Sequence, residues 1–156
     1  MTNLDLSTLD LSHMRNFSNM FTNCNALETV KFASNATASA NNMKNMFLNC
    51  ESLGKNTPVD EDAIDGIKTF STSKVKYMDG MFYGCSHLKS LDLRSFDTTN
   101  VTTSRKENTE PFKYALDMFN DCVRLGKIQT YSQYNSTKYF KIEGWTLNFY
   151  MSGLYS

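Results

Sequence analysis

One compound motif, written four times, constrains this chain more than anything else in it. Met20-Phe21-Thr22-Asn23-Cys24, Met46-Phe47-Leu48-Asn49-Cys50, Met81-Phe82-Tyr83-Gly84-Cys85 and Met118-Phe119-Asn120-Asp121-Cys122 are copies of M-F-x-x-C that contain all four cysteines. A leucine follows three residues after each cysteine, at Leu27, Leu53, Leu88 and Leu125. A chain of 156 residues organised this way is a repeat protein, in which each unit buries its apolar face against the next.

The cysteine spacings of 26, 35 and 37 reduce to one period of 26 with nine and then eleven extra residues. Stepping from each post-cysteine leucine to the next strand residue places the nine between Gly54 and Gly66. Stepping from that strand residue to the next Met-Phe places the eleven around Ser104–Tyr114. Both inserts, 54–66 and 104–114, are polar and contain a proline (Pro58, Pro111), as surface loops do.

Inside one unit the hydrophobic period changes. Met14, Phe17, Met20, Phe21 and Cys24 recur as Ala40, Met43, Met46, Phe47 and Cys50, then as Val75, Met78, Met81, Phe82 and Cys85. The last set is Phe112, Ala115, Met118, Phe119 and Cys122, and this spacing predicts one face of a helix. Ser12, Ser39 and Ser73 stand where an N-cap hydroxyl would be placed. Between these segments lie short alternating runs at Leu4–Leu6, Val30–Phe32, Leu91–Leu93 and Ile128–Thr130, which read as half-buried strands. The third run, Ala63–Ile67, puts Asp65 where the others have an apolar residue, and a bulge or shift is expected there.

One strand and one short helix cannot bury both of their apolar faces alone, whereas stacked copies can, with parallel strands about 4.8 Å apart. The expected fold class is α/β: a short right-handed leucine-rich-repeat solenoid, strands on one face and short helices on the other. Residues 1–130 form the solenoid with its four helix repeats, and 131–156 a C-terminal aromatic cap of the same domain. That last stretch abandons the repeat and carries Tyr131, Tyr134, Tyr139, Phe140, Trp145, Phe149, Tyr150 and Tyr155. Glu143-Gly144 reads as the turn of a β-hairpin within it. The aromatics serve either to cover the last repeat or as a platform for sugar or peptide ligands.

Leu91–Val101 together with Met78–Leu88 resembles the 26-residue repeat of BspA-like leucine-rich-repeat surface proteins. The same repeat is known from mycoplasma surface lipoproteins and from wall-anchored proteins of Gram-positive bacteria. The likeness runs from about Met1 to Tyr131. It departs at the two inserts and at Ala33–Asn42, where Asn35 replaces the expected phenylalanine. The resemblance implies an extracellular, non-catalytic binding or adhesion module with no catalytic residues to transfer.

The remaining chemistry agrees with that class. Sixteen basic residues balance sixteen acidic ones, so the basic surplus of a nucleic-acid binder is missing. No apolar run is long enough for a membrane span. The cysteines lack the close pairs of a zinc site and read as a ladder of buried free thiols. His13 and His87 sit at different repeat positions without a catalytic motif, so no enzyme activity, cofactor or metal is expected. Asp60–Gly66 resembles a calcium loop but has the wrong spacing, with Ser71 where the closing glutamate belongs; it reads as an acidic solvated loop.

The candidate ligand face is the row of outward strand residues Asp5, Lys31, Asp92 and Gln129, flanked by Asn3, Thr29, Ser90 and Lys127. The function expected is recognition or adhesion at a cell surface or in secretion, toward an extracellular protein or glycan. Two alternatives stand beside it: a structural spacer that displays another domain, and an intracellular protein-interaction scaffold. The chain begins on the threshold of a strand, and this open edge suggests a piece of a longer surface protein or self-association along that edge.

Overall fold

The computed structural model describes residues 2–97, 100–101, 118–119 and 121–125, and the backbone of 127–130. The second insert and the aromatic C-terminal segment, including its expected cap and hairpin, lie outside the described residues. Five short strands occur along the chain: β1 (Asn3–Leu6), β2 (Thr29–Phe32), β3 (Ile64–Asp65), β4 (Ser90–Leu93) and β5 (Lys127–Thr130). They coincide with the alternating runs of the sequence, and every pairing is parallel. β1, β2 and β3 make a three-stranded sheet, and β4 and β5 a separate pair.

The register is in phase with the repeat. Leu4 lies beside Val30 and Val30 beside Ile64, while Asp5 lies beside Lys31 and Lys31 beside Asp65. The irregular third strand therefore has Ile64 inward and Asp65 exposed, with Gly66 opposite Phe32. One residue more than in the second repeat is taken up after the strand, at Gly66–Ile67, which is the expected shift. Gly66 stands at φ 100° and approaches Phe32 so closely that a Cβ would press on its carbonyl oxygen, so glycine is needed there.

The helices expected over the first three M-F-x-x-C motifs do not form. Among the described residues, helix amounts to a 3-10 turn at Ile67–Thr69 and the pair Met118–Phe119. The cause is a pair of left-handed residues in each of these three motifs, one before the methionine and one before the cysteine, the second place being left-handed in the fourth motif too. Asn19, Asn45 and Gly80 have φ of 57°, 54° and 65°; Asn23, Asn49, Gly84 and Asp121 have 63°, 58°, 77° and 60°. Glycine, asparagine and aspartate tolerate this conformation better than other residues, and each such residue ends a run of α-helix.

The backbone proceeds instead as consecutive tight turns, and its amides alternate in direction. Met20 N–H bonds back to Phe17 O (3.3 Å) and Cys24 N–H to Phe21 O (3.0 Å). The amides between them leave the repeat: Phe17, Asn19, Phe21 and Asn23 donate to Asn42, Lys44, Met46 and Leu48 at 2.8–3.0 Å. Met43, Asn45, Phe47 and Asn49 then donate to Tyr77, Asp79, Met81 and Tyr83 at 2.7–2.9 Å. Ser12, Ser39 and Ser73 consequently cap no helix; Ser12 Oγ donates to Asp10 Oδ1 (2.5 Å).

Most of the described residues selected by the spacing are nevertheless inside, the exposed Cys24 and half-buried Met14 and Met20 of the first set excepted. Both middle sets, Ala40 to Cys50 and Val75 to Cys85, are fully buried. Phe21, Phe47, Phe82 and Phe119 form a continuous column with ring centroids 5.3, 5.7 and 5.8 Å apart, their planes within 19°. Phe32, Phe70 and Phe96 form a second column. At the corner between wall and sheet, two buried threonines link neighbouring units. Thr37 Oγ1 donates to Ser71 O (3.1 Å) and accepts from Ser71 N–H (2.8 Å). Thr72 does the same with Asp97 (2.9 and 2.7 Å), so neither buried hydroxyl is left unsatisfied.

Two substitutions test this packing. Phe82→Ala removes a ring stacked on both sides and should cost about 3–5 kcal/mol in chemical denaturation. A loss under about 1 kcal/mol would place the ring at the surface. Gly84→Ala should cost at least about 1–2 kcal/mol, because alanine is strained at φ 77° and its Cβ would fall on Asn49 Oδ1. An unchanged midpoint would contradict the left-handed turn.

Candidate functional site

The expected Asp5 and Lys31 lie side by side on the first sheet, and the outward row there continues onto the third strand. Asp5, Lys31 and Asp65 are exposed and adjacent, so charge alternates in sign across the sheet. Asp65 belongs to this row as well, a place that the irregular third run conceals in the sequence. Ser7 supplies both a hydroxyl (2.6 Å) and a backbone N–H (2.9 Å) to Asp5 Oδ1, and these bonds hold the carboxyl below its ordinary range. Thr29 Oγ1 donates to Asn3 Oδ1 (2.7 Å) across the same strands.

Asp92 corrects the expected row. It is only 4% exposed, because Arg94 folds back over it and grips both carboxylate oxygens. Arg94 Nε donates to Oδ1 at 2.9 Å and the guanidinium NH2 donates to Oδ2 at 2.6 Å. These hydrogen bonds, more than any other influence, keep the Asp92 pKa lowered. Strand alternation points Asp92 outward, but Asp-Leu-Arg covers the acid where Asp5-Leu-Ser7 leaves it open. Gln129 is beside Asp92 in the backbone pairing, and its side chain lies outside the described residues.

The first insert explains the setting of Asp92. The chain from Gly54 is held against β4 by Lys89, whose ammonium donates to the carbonyls of Gly54 (2.8 Å), Lys55 (3.1 Å) and Thr57 (2.9 Å). Three charge-assisted hydrogen bonds from one buried-stemmed lysine make a firm anchor. Ser90 Oγ donates to Val59 O one step further on. Between this strap and β4 opens a cleft of about 220 Å³ lined by Val59, Asp60, Asp62, Lys68, Ser90, Leu91, Asp92 and Arg94. Lys68 pairs with Asp62 at 3.2 Å, and Arg94 with Asp92 at 2.6 Å. The cleft marks where the sheet is interrupted, with β4 joined to the Ile67 turn by the Ser95 Oγ bond to Ile67 O (3.3 Å).

The acidic stretch of the insert does not converge. Asp62 faces Lys68 while Asp65 projects from β3, and among the described residues no three metal-binding side chains come together. His87 Nδ1 lies 2.7 Å from Glu51 O, a fixed backbone contact, and His13 is exposed elsewhere. Among the described residues no helix is long and apolar enough to cross a membrane.

The thiol ladder is present from its second rung onward. Cys50 Sγ donates to Phe21 O (3.1 Å), Cys85 Sγ to Phe47 O (3.2 Å) and Cys122 Sγ to Phe82 O (3.0 Å). Burial pushes the Cys50 and Cys122 thiols up to about 12 and raises Cys85 strongly as well. Cys24 departs from the expectation that all four are inaccessible: it is exposed. All four cysteines are free.

Comparison with known families places this arrangement. The family DUF285, described as a Mycoplasma protein of unknown function, matches residues 1–65 and again 61–144. The chain belongs to the DUF285 family. The two matches meet at the end of the first insert, so each spans two of the M-F-x-x-C units and the junction falls beside the interruption of the sheet. No curated protein and no solved structure matches the chain significantly.

Thiol counting checks the ladder. In the native chain one cysteine should react quickly with a thiol reagent at neutral pH, and Cys24→Ser should abolish that fast phase. The other three should react only on unfolding, since a thiol held neutral is a poor nucleophile. Fast labelling of two or more sites would contradict the buried rungs.

Proposed function

We propose that the chain is a non-catalytic recognition module of the cell-surface adhesion type, with an extracellular protein or glycan as ligand. The supporting observation is the Lys89 strap, which anchors the first insert on β4 and forms a rigid polar cleft beside the sheet. Rigid walls lower the ordering cost of binding, and a loop fixed on a regular scaffold is a common carrier of specificity. The exposed Asp5, Lys31 and Asp65 row extends the polar surface available to a partner. In this reading the units continue as one short right-handed leucine-rich-repeat solenoid, with tight turns replacing its helices. The BspA-like resemblance carries the surface location.

A spacer function is the second reading, favoured by the unbroken phenylalanine column and the wall of inter-repeat amides. A purified-chain binding screen against immobilised extracellular-matrix proteins and a glycan array separates the two. Recognition predicts a specific hit that weakens about tenfold or more in Asp5→Lys, Lys31→Glu or a cleft variant. Such a loss corresponds to about 1.4 kcal/mol. Silence across both panels supports the spacer.

A further inference from the structure

We infer that the cleft between the 54–66 insert and β4 binds one neutral, hexose-sized sugar residue. The inference rests on the recognition reading above and names the ligand class for it. Size sets the first limit: about 220 Å³ is below the roughly 300–1,000 Å³ of pockets for drug-sized ligands, and suits a single ring.

The lining sets the second limit. Carboxylates of Asp60, Asp62 and Asp92 alternate with the cationic donors Lys68 and Arg94. A sugar hydroxyl both donates and accepts, so neighbouring hydroxyls on one ring can give protons to the carboxylates and accept from the cations. A phosphate, which only accepts, would face three carboxylates. A simple cation, which needs acceptors on every side, would face the like charges of Lys68 and Arg94. Three carboxylates around one small cleft disfavour the carboxylates of uronic and sialic acids. Val59, half exposed at the rim, offers an apolar contact for the C–H face of a ring.

Preorganisation completes the case. Asp92 is already ionised and held at two points by Arg94, Lys68 already sits on Asp62, and Lys89 fixes the strap. A ligand therefore meets oriented groups and has few side chains to order.

The test is a titration of the full, isotope-labelled chain with glucose, galactose, mannose and N-acetylglucosamine, followed by amide chemical shifts. Glucuronate and inorganic phosphate are the anionic controls. At least one neutral sugar should give saturable shifts at residues 59–62 and 90–94, with Kd on the order of 1 mM. Lys68→Gln and Asp60→Asn should each weaken it about tenfold while leaving the melting temperature unchanged, because exposed pairs add little stability. Absence of saturable shifts with all four sugars, shifts confined to another surface, or stronger binding of the anions would overturn the inference. A protein ligand lost in Asp5→Lys but kept in Lys68→Gln would also overturn it, while leaving the recognition reading standing. Silence of the protein and glycan panels removes that wider reading separately.

Discussion

The alternation of backbone amides in the M-F-x-x-C segments is the constraint on which the rest of the structure depends. An α-helix would consume nearly every N–H within one unit. Here every second N–H points to the next unit, so the wall opposite the strands is itself held together between repeats. That arrangement needs left-handed residues at two fixed places per motif, and Asn, Gly or Asp occupies both places wherever they are described. The turns in turn bring each Phe under the next one and aim each buried thiol at a Phe carbonyl. Phenylalanine column, cysteine ladder and amide wall are three results of one backbone path.

Against this regular background the first insert stands out by what it does to the sheet. β3 has only two residues, β4 pairs away from it with β5, and the strap from Gly54 lies beside β4 on Lys89. The interruption creates a polar hollow, in which buried Asp92 is neutralised by Arg94. Regularity supplies rigidity, and the departure from it supplies an individual surface. The family match divides at the same junction.

Much of this was legible in the residues. The repeat itself, the inward residues and the parallel strands all follow from spacing, because burial depends on which side chains recur and not on how the chain joins them. Over the first three motifs the wrong element was the helix. Offsets of three and four residues suit both a helix and a chain of three-residue turns, since each returns the chain to the same side. The discriminating signal was the recurring Asn19, Asn45, Gly80 and Asn23, Asn49, Gly84, Asp121, which supply left-handed turns and disfavour helix interiors. Asp92 was misplaced for a different reason: alternation assigns a side of the strand, whereas cover by Arg94 depends on a neighbour two residues away. The anchoring of the insert by Lys89 links residues more than thirty positions apart, and no local pattern announces it.

The left-handed columns also give the stack a direction that its repetition conceals. Asn49 donates its side-chain amide to Asn23 Oδ1 at 3.1 Å, whereas Gly84 leaves empty the very space that Asn49 Oδ1 occupies. A unit with glycine at this place fits after one with asparagine because the first yields the volume that the second fills. Exchanging the second and third units would break the Asn49–Asn23 bond, set Gly84 beside Asn23 and put Asn49 next to Asp121. Duplication and shuffling of such units are therefore restricted by neighbour identity: the array has a grammar of order as well as a vocabulary of repeats.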